Sequence, residues 1–217
     1  MNILIWVGLV AAVTYLWASI PWGLLIGKVH GIDIREHGSG NIGATNVRRV
    51  LGKCWGRWCF VLDFGKGFLP ILAVRAVIAH GLVADPCGWG VIAAAAAAVA
   101  GHIWSVFIGF RGGKGVSTSA GLLLAIAPYP LLVAGAVWAA FFYSFRYVSL
   151  ASIAAAVILP LAATLFSLAG IQVLPVPILI LLTVLAILSV FRHRSNIKRL
   201  MAGTESRFER GRAGETK

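Results

Sequence analysis

Three stretches of this 217-residue chain gather groups that can hold an anion. The first reads Gly38-Ser39-Gly40-Asn41-Ile42-Gly43-Ala44-Thr45-Asn46-Val47-Arg48-Arg49-Val50-Leu51-Gly52-Lys53. Glycines let backbone N–H groups come close to an anion, and a helix start adds the positive end of its dipole. A short interfacial helix from Asn41 to Leu51, closed by Gly52, is expected to carry Arg48 and Arg49. Ser39, Gly40, Asn41, Gly43, Thr45 and Asn46 supply more small and polar groups than anchoring to anionic lipid heads requires. The match to GxGxxG is not a dinucleotide fingerprint, because no strand precedes it and no βαβ unit can follow it.

The second stretch, Gly109-Phe110-Arg111-Gly112-Gly113-Lys114-Gly115-Val116-Ser117-Thr118-Ser119, resembles a Walker A loop without satisfying it. That pattern needs GxxxxGK followed by Ser or Thr, and here Gly115 follows Lys114. What is left is a tight turn, Gly112, Gly113 and Gly115, with the cations Arg111 and Lys114 at a helix start, suited to a phosphate but not to a nucleotide. The third stretch runs from Arg192 through His193, Arg194, Asn196, Ile197 and Leu200 to Glu205. At helical spacing His193, Asn196, Ile197 and Leu200 share a face. Ile197 and Leu200 should anchor that face, turning His193 and Asn196 inward and the arginines toward lipid phosphates or solvent. Glu205 is expected to be structural, pairing with a cation.

These segments must be positioned by membrane helices. Hydrophobic residues make up 59% of the chain and charged residues 12%, about half the charge of an ordinary soluble chain. Apolar runs occur at about 3–27, 56–79, 89–109, 116–127, 131–145, 149–169 and 174–191, so lipid is the solvent for most of the surface. Seven crossings with the N-terminus outside put seventeen of the nineteen Lys and Arg residues on the inner side. The outer loops 80–88, 128–130 and 170–173 then hold none, as the positive-inside rule requires. Lys114 and Arg146 both belong inside, so 116–145 must cross twice, reversing at Pro128-Tyr129-Pro130. The fourth helix is then too short to span alone. It must begin near Gly112 or be shielded by neighbours, with its N-terminus opening into the site. Alanine dominates 93–100 and, with Gly88, Gly90 and Gly101, gives a smooth face for close packing. The expected fold is an all-α integral membrane protein of seven transmembrane helices with short interfacial helices. Residues 1–207 form a single domain, followed by a disordered basic tail, 208–217. The first run lacks a basic leader and a cleavage site, so it reads as a retained helix. Cys54, Cys59 and Cys87 form no CxxC and read as unpaired.

The three motifs, with Arg146-Tyr147-Val148-Ser149-Leu150-Ala151-Ser152-Ile153 after the fifth helix, resemble the bacterial membrane acyl-phosphate:glycerol-3-phosphate acyltransferases over nearly the whole chain. The resemblance implies seven helices in the inner membrane and an active site on the cytoplasmic face. It implies transfer of a fatty acyl group from acyl phosphate to the 1-hydroxyl of glycerol 3-phosphate, giving lysophosphatidic acid and phosphate. Carried over by motif, Ser39, Arg49, His193 and Asn196 are catalytic positions. Lys114 with its glycines holds glycerol phosphate, and Glu205 maintains the site. No metal or other cofactor and no nucleic acid is implied; the partners are the two substrates and membrane lipids, with a monomer as the expected state. The apolar helices can lodge the acyl tail.

A transporter or flippase of phosphorylated molecules is the alternative, since basic loops and broken helices would serve it too. Polar groups crowd one face, however, and within the helices Asp63, Lys66 and His102, with Arg75 toward the end of its run, are the few ionisable groups that break the apolar runs. Asp63 and Lys66, at i and i+3, are expected to pair. His80 and Asp85 match the HxxxxD pattern of a different acyltransferase class. By the charge count they lie outside, across about 30 Å of hydrocarbon from the phosphate-binding segments.

Overall fold

The computed structural model describes residues 2–85 and 87–208, and in them ten α-helices and no strands. The helices are α1 (Ile3–Ser19), α2 (Trp22–Val29), α3 (Ala44–Leu51), α4 (Lys53–Ala79), α5 (Trp89–Ile103), α6 (Val116–Ile126), α7 (Pro128–Phe145), α8 (Val148–Leu168), α9 (Val176–Arg192) and α10 (Arg194–Met201). Four segments are long and apolar enough to cross a bilayer: Ile3–Val29, Trp89–Ile108, α7 and α8. The pair α9–α10, bent by 51°, makes a fifth if taken as one span. Helix α4 has the length but carries Asp63 and Lys66 in its interior, and α6 has only 11 residues. The outward faces carry exposed Leu132, Leu161, Leu165 and Ile187, a continuous apolar surface that lipid would cover. Pro70 and Pro160 sit inside α4 and α8, as transmembrane helices tolerate. Cys54, Cys59 and Cys87 are free thiols.

The short helix α6 is held by backbone-to-backbone approach. A Cβ added at Gly67 of α4 would lie 2.0 Å from Thr118 O, and one at Gly121 of α6 would lie 2.0 Å from Phe64 O. Between helices that lose no water on meeting, such small-residue contact supplies the packing. So α6 starts at Val116 and is packed against α4. Gly101 plays the same part for α5: its Cβ would lie 2.5 Å from Tyr15 O of α1.

Among the described residues the core holds a buried charge cluster. Lys66 Nζ lies 2.8 Å from Asp63 Oδ1, and His102 Nδ1 lies 3.6 Å from the same oxygen. All three side chains are buried, and pairing is what makes buried charge tolerable in lipid. At the end of the bundle where α4 gives way to α5, Asp85 accepts hydrogen bonds from Trp89 N at 2.9 Å and Gly90 N at 2.7 Å, capping α5. Gln172 closes the break between α6 and α7 at that end. Its Nε2 donates to Ile126 O at 3.1 Å and its Oε1 accepts from Tyr129 N at 3.3 Å.

Two boundaries differ from expectation. The interfacial helix begins at Ala44 rather than Asn41, because Asn41 Oδ1 accepts from Gly43 N at 2.9 Å and holds 41–43 as a turn. Phe208, expected to open a disordered tail, is docked: its N–H donates to Arg146 O at 3.0 Å. Residues 209–217 of that tail lie outside the described residues.

Candidate active site

The end opposite Asp85 gathers α3, the loop before α6, the start of α8, the α9–α10 bend and residues 204–208. Between them lies a polar cavity of about 170 Å3. Lys114 enters from the loop and donates to Asn196 Oδ1 of α10. Asn196 Nδ2 donates to Glu205 Oε1 at 2.7 Å, which also accepts from Ser149 Oγ at 2.6 Å. Arg199 Nε donates to Glu205 Oε2 at 2.8 Å. Burial works against the Glu205 charge, but these three donors outweigh it and hold the carboxyl below its ordinary range. Burial lowers the Lys114 ammonium from 10.5 to about 8. Glu205 opposes that shift, and Arg199, Arg49 and Arg192 add to it. Burial lowers Arg49 as well. Lys114 and Arg49 thus face an open space whose carboxylates, Glu205 and Asp63, are already engaged by other donors, an arrangement a phosphate would complete.

His193 sits at the bend. Its Nδ1 lies 2.8 Å from Ser189 O, and a carbonyl can only accept, so Nδ1 carries the proton. The neutral ring then offers Nε2 as an acceptor. Ser39, Asn41, Thr45 and Arg49 line the opposite wall. Residues 206–208 strap that wall to the turn between α7 and α8. Arg49 Nη2 donates to Ser206 O at 3.1 Å, and the guanidiniums of Arg48 and Arg49 lie 5.1 and 5.2 Å from the Phe208 ring centre.

Several residues with expected binding roles are placed otherwise. Gly112 N donates to Ile103 O and Gly113 N to His102 O. Their missing side chains make room for α5: a Cβ on either would lie within 2.2 Å of His102. They position the loop, while Gly115, Val116 and Ser117 line the cavity at the first turn of α6, whose N–H groups have no partner within the helix. Gly40 N donates to His37 O and stays outside the cavity, as does exposed Arg111, which borders a surface groove with Asp33 and Glu36. Asn46 borders the cavity, but its side chain bonds to the loop: Nδ2 donates to Ile34 O and His37 O, and Oδ1 accepts from Ser39 N. Gly43 lines the cavity as expected.

Arg192, expected to face outward, turns in and donates to Gly112 O at 3.2 Å and Gly113 O at 3.0 Å, because the chain bends at the next residue. Its inward role was not legible from the motif. Ser149 and Ser152 also line the cavity; both fall in the segment after the fifth helix that carried part of the resemblance. Asp63 and His102 form the floor.

Below the polar cavity lies an apolar one of about 400 Å3 between α6, α7, α8 and α9, with Phe60, Val116, Trp138 and Ser152 bordering both. A charged head and an apolar tail of one molecule could therefore be held together.

A family model for glycerol-3-phosphate acyltransferase matches residues 8–203. The glycerol-3-phosphate acyltransferase of Desulforudis audaxviator is 48% identical over 201 residues, covering 92% of this chain and 94% of that one. That of Aquifex aeolicus is 45% identical over 195 residues, covering 89% and 95%. Among solved structures, PlsY (YgiH), an integral membrane glycerol 3-phosphate acyltransferase in its glycerol 3-phosphate form, matches with a TM-score of 0.82 at 42% identity, over 94% of this chain and 96% of that one. Its lysophosphatidic acid form matches with a TM-score of 0.79, also at 42% identity, over 94% and 95%. The fold, the site and these relatives together define an integral membrane acyltransferase. This chain belongs to the glycerol-3-phosphate acyltransferase family.

Proposed function

We propose that the protein transfers a fatty acyl group from acyl phosphate to the 1-hydroxyl of glycerol 3-phosphate, giving 1-acylglycerol 3-phosphate and inorganic phosphate. The observation that carries this reading is the contact between a polar cavity holding Lys114 and Arg49 and an apolar one across Trp138 and Ser152. An acyl phosphate has the shape of that junction, and the polar side leaves room for a second phosphate. The PlsY relative, solved with glycerol 3-phosphate and with lysophosphatidic acid, supports an acceptor and a product of this kind.

In the reaction the acceptor hydroxyl oxygen bonds to the acyl carbon, and the bond from that carbon to the phosphate oxygen breaks. Lys114, Arg49 and the first turn of α6 hold phosphate groups and stabilise negative charge as it develops. Ser39, Asn41 and Thr45 add donors from the α3 wall, and Asn196, fixed by Glu205, orients Lys114. Acyl phosphate has a good leaving group already, so the remaining task is to take the hydroxyl proton. His193 Nε2 can receive it, and so can the acceptor's own phosphate, whose second pKa lies near 6.

The charge asymmetry supports seven crossings in a bacterial inner membrane, with the N-terminus outside and the active site facing the cytoplasm. Purified protein should release phosphate from acyl phosphate only when glycerol 3-phosphate is added; release that ignores the acceptor refutes the reading. His193→Ala should cut turnover severely. If His193→Asn or His193→Gln keeps much of the rate, the residue positions substrate and the acceptor phosphate is the base. A fall as deep as that of His193→Ala favours proton removal by the ring.

A further inference from the structure

The apolar cavity has a regular construction. Each of its four helices contributes one stripe at i, i+3, i+4 and i+7, two turns of a single helix face. At the active-site end the stripes begin with Val116, Trp138, Ser152 and Ser189. At the far end all four finish on leucine: Leu123, Leu131, Leu159 and Leu182. The middle is built mostly of small residues, among them Ala120, Gly135 and Ala156. Three of the four leucines, Leu123, Leu159 and Leu182, are packed into the core, and Leu131 is half-buried. The Gln172 bridge closes the α6–α7 break beyond them.

We propose that these four leucines are a stop that sets the length of acyl chain the enzyme accepts, with Gly135 keeping the shaft open above it. This rests on the acyl phosphate reading given above. Seven residues at 1.5 Å each place the floor about 10 Å below the level of Ser152 and Ser189. An extended chain advances roughly 1.2 Å per bond, a third of the span of an extended residue's three backbone bonds. About eight or nine carbons fill that depth. His193 lies a further helical turn above Ser189, which adds about four. An extended chain thus meets the leucines at about twelve to fourteen carbons from its carbonyl.

The donor already lies in lipid, whose tails are as apolar as leucine, so burying more methylenes gains little. Selection must come from what does not fit. Forcing extra methylenes into a closed, packed end lowers the rate by about tenfold. Gly135 is the position where the shaft can be narrowed without a clash, since a Cβ there meets no heavy atom within 4 Å.

The test is kcat/KM for acyl phosphates of eight to eighteen carbons with glycerol 3-phosphate in excess. Ratios between two donors in one preparation cancel differences in yield and folding. Wild type should be nearly flat to about fourteen carbons and about tenfold lower by eighteen. Leu131→Ala and Leu182→Ala should move the fall two or three carbons longer. Gly135→Leu should move it shorter, cutting the sixteen-to-ten-carbon ratio by tenfold or more. Ratios unchanged within twofold in all three variants, with wild type active, overturn the stop and leave the donor reading standing. A folded wild type that turns over no acyl phosphate of any length overturns the donor reading and the stop with it.

Discussion

Two lysines withdrawn from water, Lys66 and Lys114, have opposite surroundings. Lys66 faces a carboxylate at 2.8 Å and a histidine ring at 3.4 Å, and its side chain is 1% exposed. Lys114 instead donates to a neutral amide, Asn196, with the carboxylate one residue further on and already engaged by Ser149 and Arg199. In the first cluster the lysine has its counter-ion at contact distance, although Asp63 and His102 also border the cavity. The second holds its cation in position and withholds a direct counter-ion. A buried charge that is closed off contributes to structure, and one that is left open is available for a ligand.

The largest expected effect that tests this contrast is on stability. Removing one partner of a closed buried pair costs about 3–5 kcal/mol, so Lys66→Met or Asp63→Asn should markedly lower the temperature at which the detergent-solubilised protein aggregates. The double variant should recover much of the loss. Lys114→Met should leave that temperature nearly unchanged; equal destabilisation by both lysine variants would erase the distinction.

Next in size is binding. Lys114→Ala removes a charge-assisted phosphate contact worth about 1.5–3 kcal/mol, or roughly ten- to a hundredfold in affinity for glycerol 3-phosphate. The pH dependence sharpens the point. With a pKa lowered from 10.5 to about 8, the empty folded site gives up a proton above pH 8 that the unfolded chain keeps. Phosphate binding must restore it. Affinity should therefore be steady below pH 8 and weaken above it, by up to tenfold per unit. Lys114→Arg should lose that inflection; a wild-type profile flat from pH 7 to pH 10 would place the charge elsewhere.

The smallest effects belong to the opposite end of the bundle. Asp85→Ala should cost about 1 kcal/mol through the lost cap on α5, and His80→Ala less. Neither should change turnover of folded protein, and abolition of activity by either would relocate the site.

What the sequence disclosed follows the same division. The helical spacing of His193 and Asn196 put both on one inward face, and the glycines around Lys114 marked a place where the backbone must come close to something. Periodicity could not show that Arg192 also turns inward, because its direction comes from a 51° bend, a property of the packing of α9 and α10. Nor could the glycine pattern say what comes close. At Gly112 and Gly113 it is the end of α5, and only at the start of α6 is it open space. Asn46 shows the same ambiguity, since a polar side chain among glycines can serve a ligand or, as here, three groups of its own loop. The helices were legible because lipid demands long apolar runs. The start of α3 turns on a local choice, Asn41 capping the Gly43 N–H, that periodicity does not see, and the docking of Phe208 depends on Arg146, Arg48 and Arg49, far away in the chain.

The strap of residues 204–208 also sets an order for biosynthesis. Helices α1 to α9 can all be threaded into the bilayer while Ser149, Asn196 and Arg49 still lack Glu205 and Ser206, the groups that fix them. A nascent chain therefore leaves these three side chains unanchored until residues beyond α9 have been translated and have folded back onto its earliest motif.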